Sequence, residues 1–357
     1  MLLFIADYPN KASEKDGMMQ RIAAIDSQFA DVERAYLKIS FLRHLSGAKE
    51  RPSKKVTVYR WNFFRHFFSI LLLAFRANCI YVHSVGNALA ILPLYLVRKL
   101  VTDMHGAVPE EFSLAGKRLA AIRYAPVEWV AVRCSRAIVT VSGTMAEHFK
   151  NKYALTTIPS FNVPIFDEVT VKERPQRSRV DAPTVIYAGG AQAWQNVDLM
   201  LDAMRKAQAN CQFIILTGDL GLFRQKVSER SLSGIEIASV PKCEVYGYYA
   251  RSDYGFVLRE DTLVNRVACP TKLVEYLSCG VIPIVIQPRI GDFDRYGYSY
   301  LTLESFIRGE LPAAAELEAM RANNFRVIES MKSGALLEMR RLVALCREKE
   351  GATPHES

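Results

Sequence analysis

Short apolar, β-branched runs alternate with helix-length stretches along this chain, and that rhythm limits its fold more than any other feature. The first set is LLFIA (2–6), AYLKIS (35–40), KVTVYR (55–60), CIYVHS (79–84), LVTDMH (100–105) and RAIVTVS (136–142). The second is TVIYAGG (184–190), CQFIILTGD (211–219), GIEIASV (234–240), DYGFVLR (253–259) and VIPIVI (281–286). Strands spaced by helical segments predict βαβ units and parallel sheets. Between the sets lies DEVTVKERPQRSRVDAP (167–183), polar and charged with two prolines, which reads as a linker. A chain of 357 residues is long enough for two domains with separate cores. The expected organisation is an α/β domain over 1–166, a linker over 167–183 and a second α/β domain over 184–330. A C-terminal helix and tail over 331–357 is expected to pack back toward the first domain. Two domains of similar size would then face each other across a cleft.

A chain 50% hydrophobic and 23% charged has globular rather than disordered composition. The opening MLLFIADYPN lacks a basic leader and is interrupted by Asp7, so it reads as a buried strand rather than a signal peptide. The run FFSILLLAF (67–75) is too short to span a bilayer. The expectation is a cytoplasmic protein without a transmembrane anchor, docked at most on the inner face of the plasma membrane. Seven cysteines, an odd number with no CxxC pair, suggest free thiols and no zinc site. Charge is uneven: residues 1–180 carry 26 Lys and Arg against 15 Asp and Glu, and the remainder 20 against 22. The basic first half calls for an anionic partner. Within it, RWNFFRHFFSILLLAFR (60–76) has two readings, an amphipathic helix on an anionic membrane or a core helix with exposed arginines. Its apolar residues are too continuous for a base-stacking platform, so no nucleic-acid partner is expected.

In parallel α/β domains ligands bind at the carboxyl ends of strands. Four such places carry suitable residues. In VACPTKLVEYLSCGVIPIVI (267–286), Pro270 suits a helix start and Gly280 its end. Thr271, Lys272 and the free N–H groups there favour a phosphate. Glu275, one turn on, can accept hydrogen bonds from a ribose diol, and Leu273, Val274 and Leu277 can pack inward. In TVIYAGGAQAWQN, Gly189 and Gly190 end a strand and let backbone amides approach a phosphate, or make a plain tight turn. The loop after the first strand offers Gly17 before a helix. VTDMHGAVPEEF gathers Asp103, His105, Gly106, Glu110 and Glu111 at another strand end, with His105 the candidate for chemistry. Arg259 ends a further strand and is suited to a diphosphate. The D-x-D of GDFDRY (291–296) lies away from these strands and reads as a surface loop. No GxSxG, HExxH or P-loop occurs, which argues against hydrolase, zinc-protease and NTPase readings.

Together, CPTKLVEYLSCGVIPIV, DMHGAVPEE, IVTVSGTMAEHF and YAGGAQAWQNVDLMLDA resemble the GT-B glycosyltransferases of the retaining family 4 type. The resemblance implies two Rossmann-like domains and a UDP- or GDP-sugar donor held mainly by the second. It implies a saccharide or lipid-linked acceptor held mainly by the first, in bacterial cell-surface polysaccharide or glycolipid synthesis. Carried onto this chain, Glu275 binds the donor ribose, Thr271, Lys272 and Arg259 lie near the diphosphate, and Gly17 approaches it from the first domain. His105 contacts the transferred sugar. Retention of anomeric configuration, no cofactor and independence of metal ions are likewise implied. Two departures stand out: Val267 is eight residues before Glu275, where many members carry a glutamate, and Trp194-Gln195-Asn196 stands where many carry a lysine. With Gln195 in the lysine's place, Arg259 and Lys272 must supply more of the charge facing the diphosphate. Two alternatives share the architecture: a nucleotide-sugar epimerase, and a non-catalytic nucleotide- or saccharide-binding protein.

Overall fold

The structure, a computed structural model, describes residues 1–9, 17–98, 100–156, 159–164 and 182–348. The linker expected at 167–183 falls almost wholly outside the described residues, as does the tail from 349 onward. The chain forms two compact units, Met1–Ile165 with Gly334–Ser357, and Phe166–Ser333.

The first unit runs β1 (Leu2–Ile5), α1 (Gly17–Ser27), β2 (Arg34–Ser40), β3 (Ala48–Ser53), β4 (Val56–Asn62), α2 (Phe67–Arg76), β5 (Cys79–His83), α3 (Ser84–Ala88), α4 (Leu94–Val97), β6 (Val101–Met104), α5 (Val108–Leu114), α6 (Arg118–Cys134), β7 (Ala137–Thr140), α7 (Gly143–Tyr153) and β8 (Ser160–Asn162). Its sheet is ordered β3-β4-β2-β1-β5-β6-β7-β8, parallel except where β3 pairs antiparallel with β4. The inner strands β1, β5, β6 and β7 are buried along their whole length, as parallel strands covered on both faces must be. Because β2 and β5 flank β1, the chain leaves β1 in opposite directions on its two sides, and a crevice opens beyond the carboxyl ends of β1 and β5.

The second unit runs β9 (Thr184–Ala188), α8 (Val197–Ala207), β10 (Gln212–Leu216), α9 (Leu220–Glu229), β11 (Ile235–Ala238), α10 (Lys242–Ala250), β12 (Tyr254–Val257), α11 (Leu263–Val267), α12 (Thr271–Ser278), β13 (Ile282–Val285), β14 (Leu301–Thr302) and α13 (Leu303–Arg308). A long helix, α14 (Ala314–Arg347), follows. Strand order β11-β10-β9-β12-β13-β14 is the doubly wound order, with its switch between β9 and β12. The residues up to Ser333 belong to this unit, where Arg321 is anchored to Asp253 (2.7 Å) and to the Gly280 carbonyl (3.0 Å). From Gly334 on they belong to the first, where Leu342 and Cys346 join its core.

Three strands carry no sequence signal: β3 is polar and exposed at every position, β8 is three residues long and β14 two. The segment 60–76 is not one helix. Asn62 Oδ1 accepts from the N–H groups of Phe64 (3.1 Å) and Arg65 (3.2 Å), closing a turn that separates β4 from α2. No helix among the described residues is long and apolar enough to cross a membrane.

Gly255, within β12, decides how closely α12 lies on the second sheet. A Cβ there would meet the buried Tyr276 ring at 2.4 Å. Gly255→Ala should therefore cost about 1–3 kcal/mol by overpacking. Gly218→Ala, with nothing within 4 Å of its added carbon, should cost little. Denaturant midpoints check this; equal midpoints for the two variants would refute the packing account.

Candidate functional site

In the second unit the switch between β9 and β12 gathers two cations. Lys272, in the first turn of α12, places Nζ 3.8 Å from the centre of the Tyr187 ring and donates to Gln195 Oε1 at 3.1 Å. Arg259, just past β12, donates from Nη1 to Asn265 Oδ1 at 2.9 Å. Those partners are neutral. Among the described residues neither cation reaches a carboxylate at ion-pairing distance. Burial, followed by the charge of Arg259, holds the Lys272 pKa well below its ordinary value. Burial likewise lowers that of Arg259. A Cβ on Gly189 would stand 2.9 Å from Lys272 Nζ, so the missing side chain is what admits the lysine. Glu275 Oε2, one turn along α12, accepts from Tyr249 Oη at 2.8 Å. Thr271 is exposed at the helix start, and Pro270 caps it from outside the first turn. Gly280 takes the left-handed conformation, φ 66°, just past the helix end.

In the first unit β5 ends in His83 and His105 directly follows β6, and Asp103 lies between the two imidazoles. Asp103 is fully buried and is gripped by Arg21 of α1, whose Nε and Nη2 donate to it at 2.6–2.9 Å. Arg21 Nη1 donates to the Val163 carbonyl at 2.7 Å. Tyr81 Oη donates to Asp103 Oδ2 at 3.1 Å, and His83 Nδ1 and His105 Nε2 each stand 3.4 Å from that oxygen. Although burial opposes ionisation, Arg21 and the two imidazoles hold the Asp103 carboxyl well below the usual carboxylate range. With both imidazoles turned toward Asp103, His83 Nε2 and His105 Nδ1 have no hydrogen-bond partner among the described residues. Burial lowers the His83 pKa to about 4, against the pull of Asp103. The donor atoms of His83, Asp103 and His105 are close enough together to ligate a metal ion. Arg21 already neutralises the carboxylate, so a cation there would face the guanidinium.

The sequence matches no known family profile and no curated protein. Solved structures do match. Sucrose-phosphate synthase of Thermosynechococcus elongatus superposes with a TM-score of 0.69 at 11% identity, over 96% of this chain and 98% of that one. HepE of Anabaena, in complex with UDP and glucose, superposes with a TM-score of 0.67 at 13% identity, over 96% and 98%. The E. coli trehalose-6-phosphate protein bound with UDP-2-fluoro glucose gives 0.67 at 9%, over 97% and 99%. These carry the glycosyltransferase architecture of two parallel-sheet α/β units. The fold is GT-B.

On this GT-B frame the second unit brings Gly189, Gly190, Arg259, Thr271, Lys272 and Glu275 to one end of its sheet. Gln195, expected in the place of a lysine, meets Lys272 across 77 residues; sequence reasoning missed the other neutral partners, Tyr187, Tyr249 and Asn265. In the first unit His105 is slightly exposed, whereas Asp103 is sealed beneath it and holds the imidazole instead of meeting solvent. Gly17 is the first residue of α1, one turn before Arg21. Most of its loop lies outside the described residues. A Cβ on Gly106 would strike Glu111 Oε1, so that glycine seats the carboxylate. Partial desolvation, then the charges of Glu128 and Glu110, raise the Glu111 pKa. Glu110 is tied to Lys152 at 2.6 Å; despite its desolvation, His148 and Lys152 pull its pKa down to about 2. Arg21 and His83 were not singled out in the sequence. The signal for His83 was present: like His105, it closes a buried parallel strand.

Acid should loosen the first unit in a defined window. The folded His83 pKa lies below the ordinary 6.5, so the unfolded chain takes up a proton that the folded chain refuses. Stability is full above about pH 6.5 and should fall by up to about 3 kcal/mol as pH drops toward 4. His83→Asn should flatten that limb of a stability–pH profile. A wild-type profile level between pH 7 and 5 would contradict this assignment.

Proposed function

We propose that this chain is a glycosyltransferase moving a sugar from a nucleotide-sugar donor to a saccharide or lipid-linked acceptor, with the anomeric configuration retained. The observation that carries the reading is the pair Lys272 and Arg259 at the switch point of the second sheet, whose hydrogen-bond partners are neutral and which, among the described residues, reach no carboxylate at ion-pairing distance. Buried cations without carboxylates favour a multiply charged anion, and a diphosphate meets that need with two groups at once. Glu275, on the same helix, would accept the ribose hydroxyls. GT-B neighbours in complex with UDP and glucose, and with UDP-2-fluoro glucose, support a UDP-sugar as the donor.

In this mechanism Lys272, Arg259 and the first-turn amides of α12 stabilise the charge that develops on the departing diphosphate, with no metal ion required. Gly189 and Gly190 admit the phosphates to the backbone. The leaving phosphate itself assists the acceptor hydroxyl, and no side chain acts as nucleophile. His105 touches the transferred sugar through Nδ1, which the contact with Asp103 through Nε2 leaves as an acceptor. Gly106 and Glu111 would line the acceptor side. Asp103 positions His105, and Glu110 is held by Lys152. The basic first unit is proposed to dock on an anionic membrane face, which suits the synthesis of cell-surface polysaccharide or glycolipid.

A panel of UDP- and GDP-sugars, assayed for nucleotide release with membrane extract as acceptor, tests the reading. One donor should be consumed. Lys272→Ala should weaken nucleotide binding about 10- to 100-fold. His105→Ala should lower turnover about 100-fold with little change in nucleotide affinity. Absence of release from every donor would sink the transferase reading, and unchanged nucleotide affinity in Lys272→Ala would remove the site.

A further inference from the structure

The first unit contains a cavity of about 380 Å³ that the donor site does not use. It opens beyond the carboxyl ends of β1 and β2, between α3 and α6. Ile5, Ile39 and Ala90 give it an apolar floor, and Arg43 and Arg123 stand at its wall. Arg123 lies over Tyr124, 4.8 Å from the ring centre, and Phe112 stacks on that tyrosine at 5.3 Å. Among the described residues neither arginine is paired with a carboxylate. Asn87, also in the lining, donates to the His83 carbonyl at 2.6 Å, and His83 Nδ1 is 3.3 Å from His105 Nε2. The cavity is therefore one α3 turn from the proposed reaction centre.

Its lining continues into an exposed aromatic path. Phe41, in the wall, contacts Phe63 at 5.1 Å and Phe64 at 6.1 Å between ring centres, and Phe63–Phe67 and Phe67–Phe68 contacts follow at 5.7 and 5.6 Å. From there α2 turns Ile70 and Ala74 into the core while Phe68, Leu72 and Phe75 face outward, 82%, 52% and 54% exposed. With Phe64 (70%) and Leu42 (88%) they expose five large apolar side chains on this part of the unit. The stretch of sequence that contains α2 is basic, although Arg60 is paired with Glu50. Between Glu50 and Asp103 the sequence contains eight Lys and Arg and no acidic residue.

We propose that cavity and strip form one acceptor site for a lipid-linked phosphate. The phosphate lies between Arg43 and Arg123, and the hydrocarbon chain leaves over Phe41, Phe64 and Phe68 into the bilayer on which α2 rests. Two arginines without carboxylates suit a phosphate. A free sugar phosphate would use the arginines but leave the aromatic strip without purpose, and a merely anionic membrane would use the strip but not the cavity. That this lipid is an acceptor rests on the transferase reading; that it binds here does not.

The test is sedimentation of the full chain with phosphatidylcholine vesicles carrying a prenyl phosphate or, at equal charge, phosphatidylglycerol. Prenyl phosphate vesicles should bind about tenfold more tightly or better, an advantage that Arg43→Gln/Arg123→Gln removes. Phe64→Ser/Phe68→Ser should lose both kinds of vesicle, and all variants should keep wild-type UDP affinity. Equal binding to the two vesicle types would overturn the phosphate site and leave only a charged membrane contact. Competition by glucose 6-phosphate as strong as by prenyl phosphate would overturn the lipid assignment, and no sedimentation would overturn both. Failure of the donor reading shows separately, as lost UDP binding with prenyl phosphate binding intact.

Discussion

Two cations share the switch point of the second sheet and, among the described residues, neither reaches a carboxylate at ion-pairing distance; much around them serves to tolerate that charge. A buried charge without a counter-ion is costly, and proteins normally pair it or let it neutralise. Here Tyr187 offers Lys272 the face of its ring, Gln195 an amide oxygen, and Asn265 does the same for Arg259. Gly189 removes the carbon that would crowd the lysine, and Gly255 lets Tyr276, and with it α12, settle onto the sheet. Each device holds the charge in place without cancelling it. On the reading proposed above, that arrangement suits a bound anion rather than a structural ion pair.

The first unit shows the opposite solution. Arg21 is more deeply buried than either cation, and it meets Asp103 through three hydrogen bonds that tie α1 to β6 at the crevice of its sheet. Removing one partner of such a pair costs about 3–5 kcal/mol because the other charge remains. The pair also fixes the hydrogen bonding of His105, so one interaction both holds the unit together and orients its candidate reacting group.

Much of this was legible in the sequence. Each apolar run that reads as a strand forms one, and β1, β5, β7 and β13 are buried along their whole length as their apolar and β-branched residues suit. The helix from Thr271 and its left-handed Gly280 follow from Pro270 and Gly280 themselves. Edge elements were not legible: β3, AKERPS, is exposed throughout and is a strand only because β4 lies beside it. Segment 60–76 divides because the Asn62 side chain closes a turn, an event that depends on one amide's geometry rather than on hydropathy. Long-range partners were beyond reach for the same reason. Nothing near Glu110 announces Lys152, 42 residues away, nor does anything near Asp103 announce Arg21, 82 residues away.

The account's central claim is that the charge of Lys272 is kept for a diphosphate. Burial lowers its pKa in the free protein and the charge of a bound diphosphate raises it again, so UDP binding at a pH between the two values should take up a proton. Calorimetric titration of UDP on the alkaline side of neutrality, in buffers of different ionisation enthalpy, measures that proton directly. Proton uptake that disappears in Lys272→Met is the predicted result. Binding whose heat is the same in every buffer, for wild type and variant alike, would contradict it.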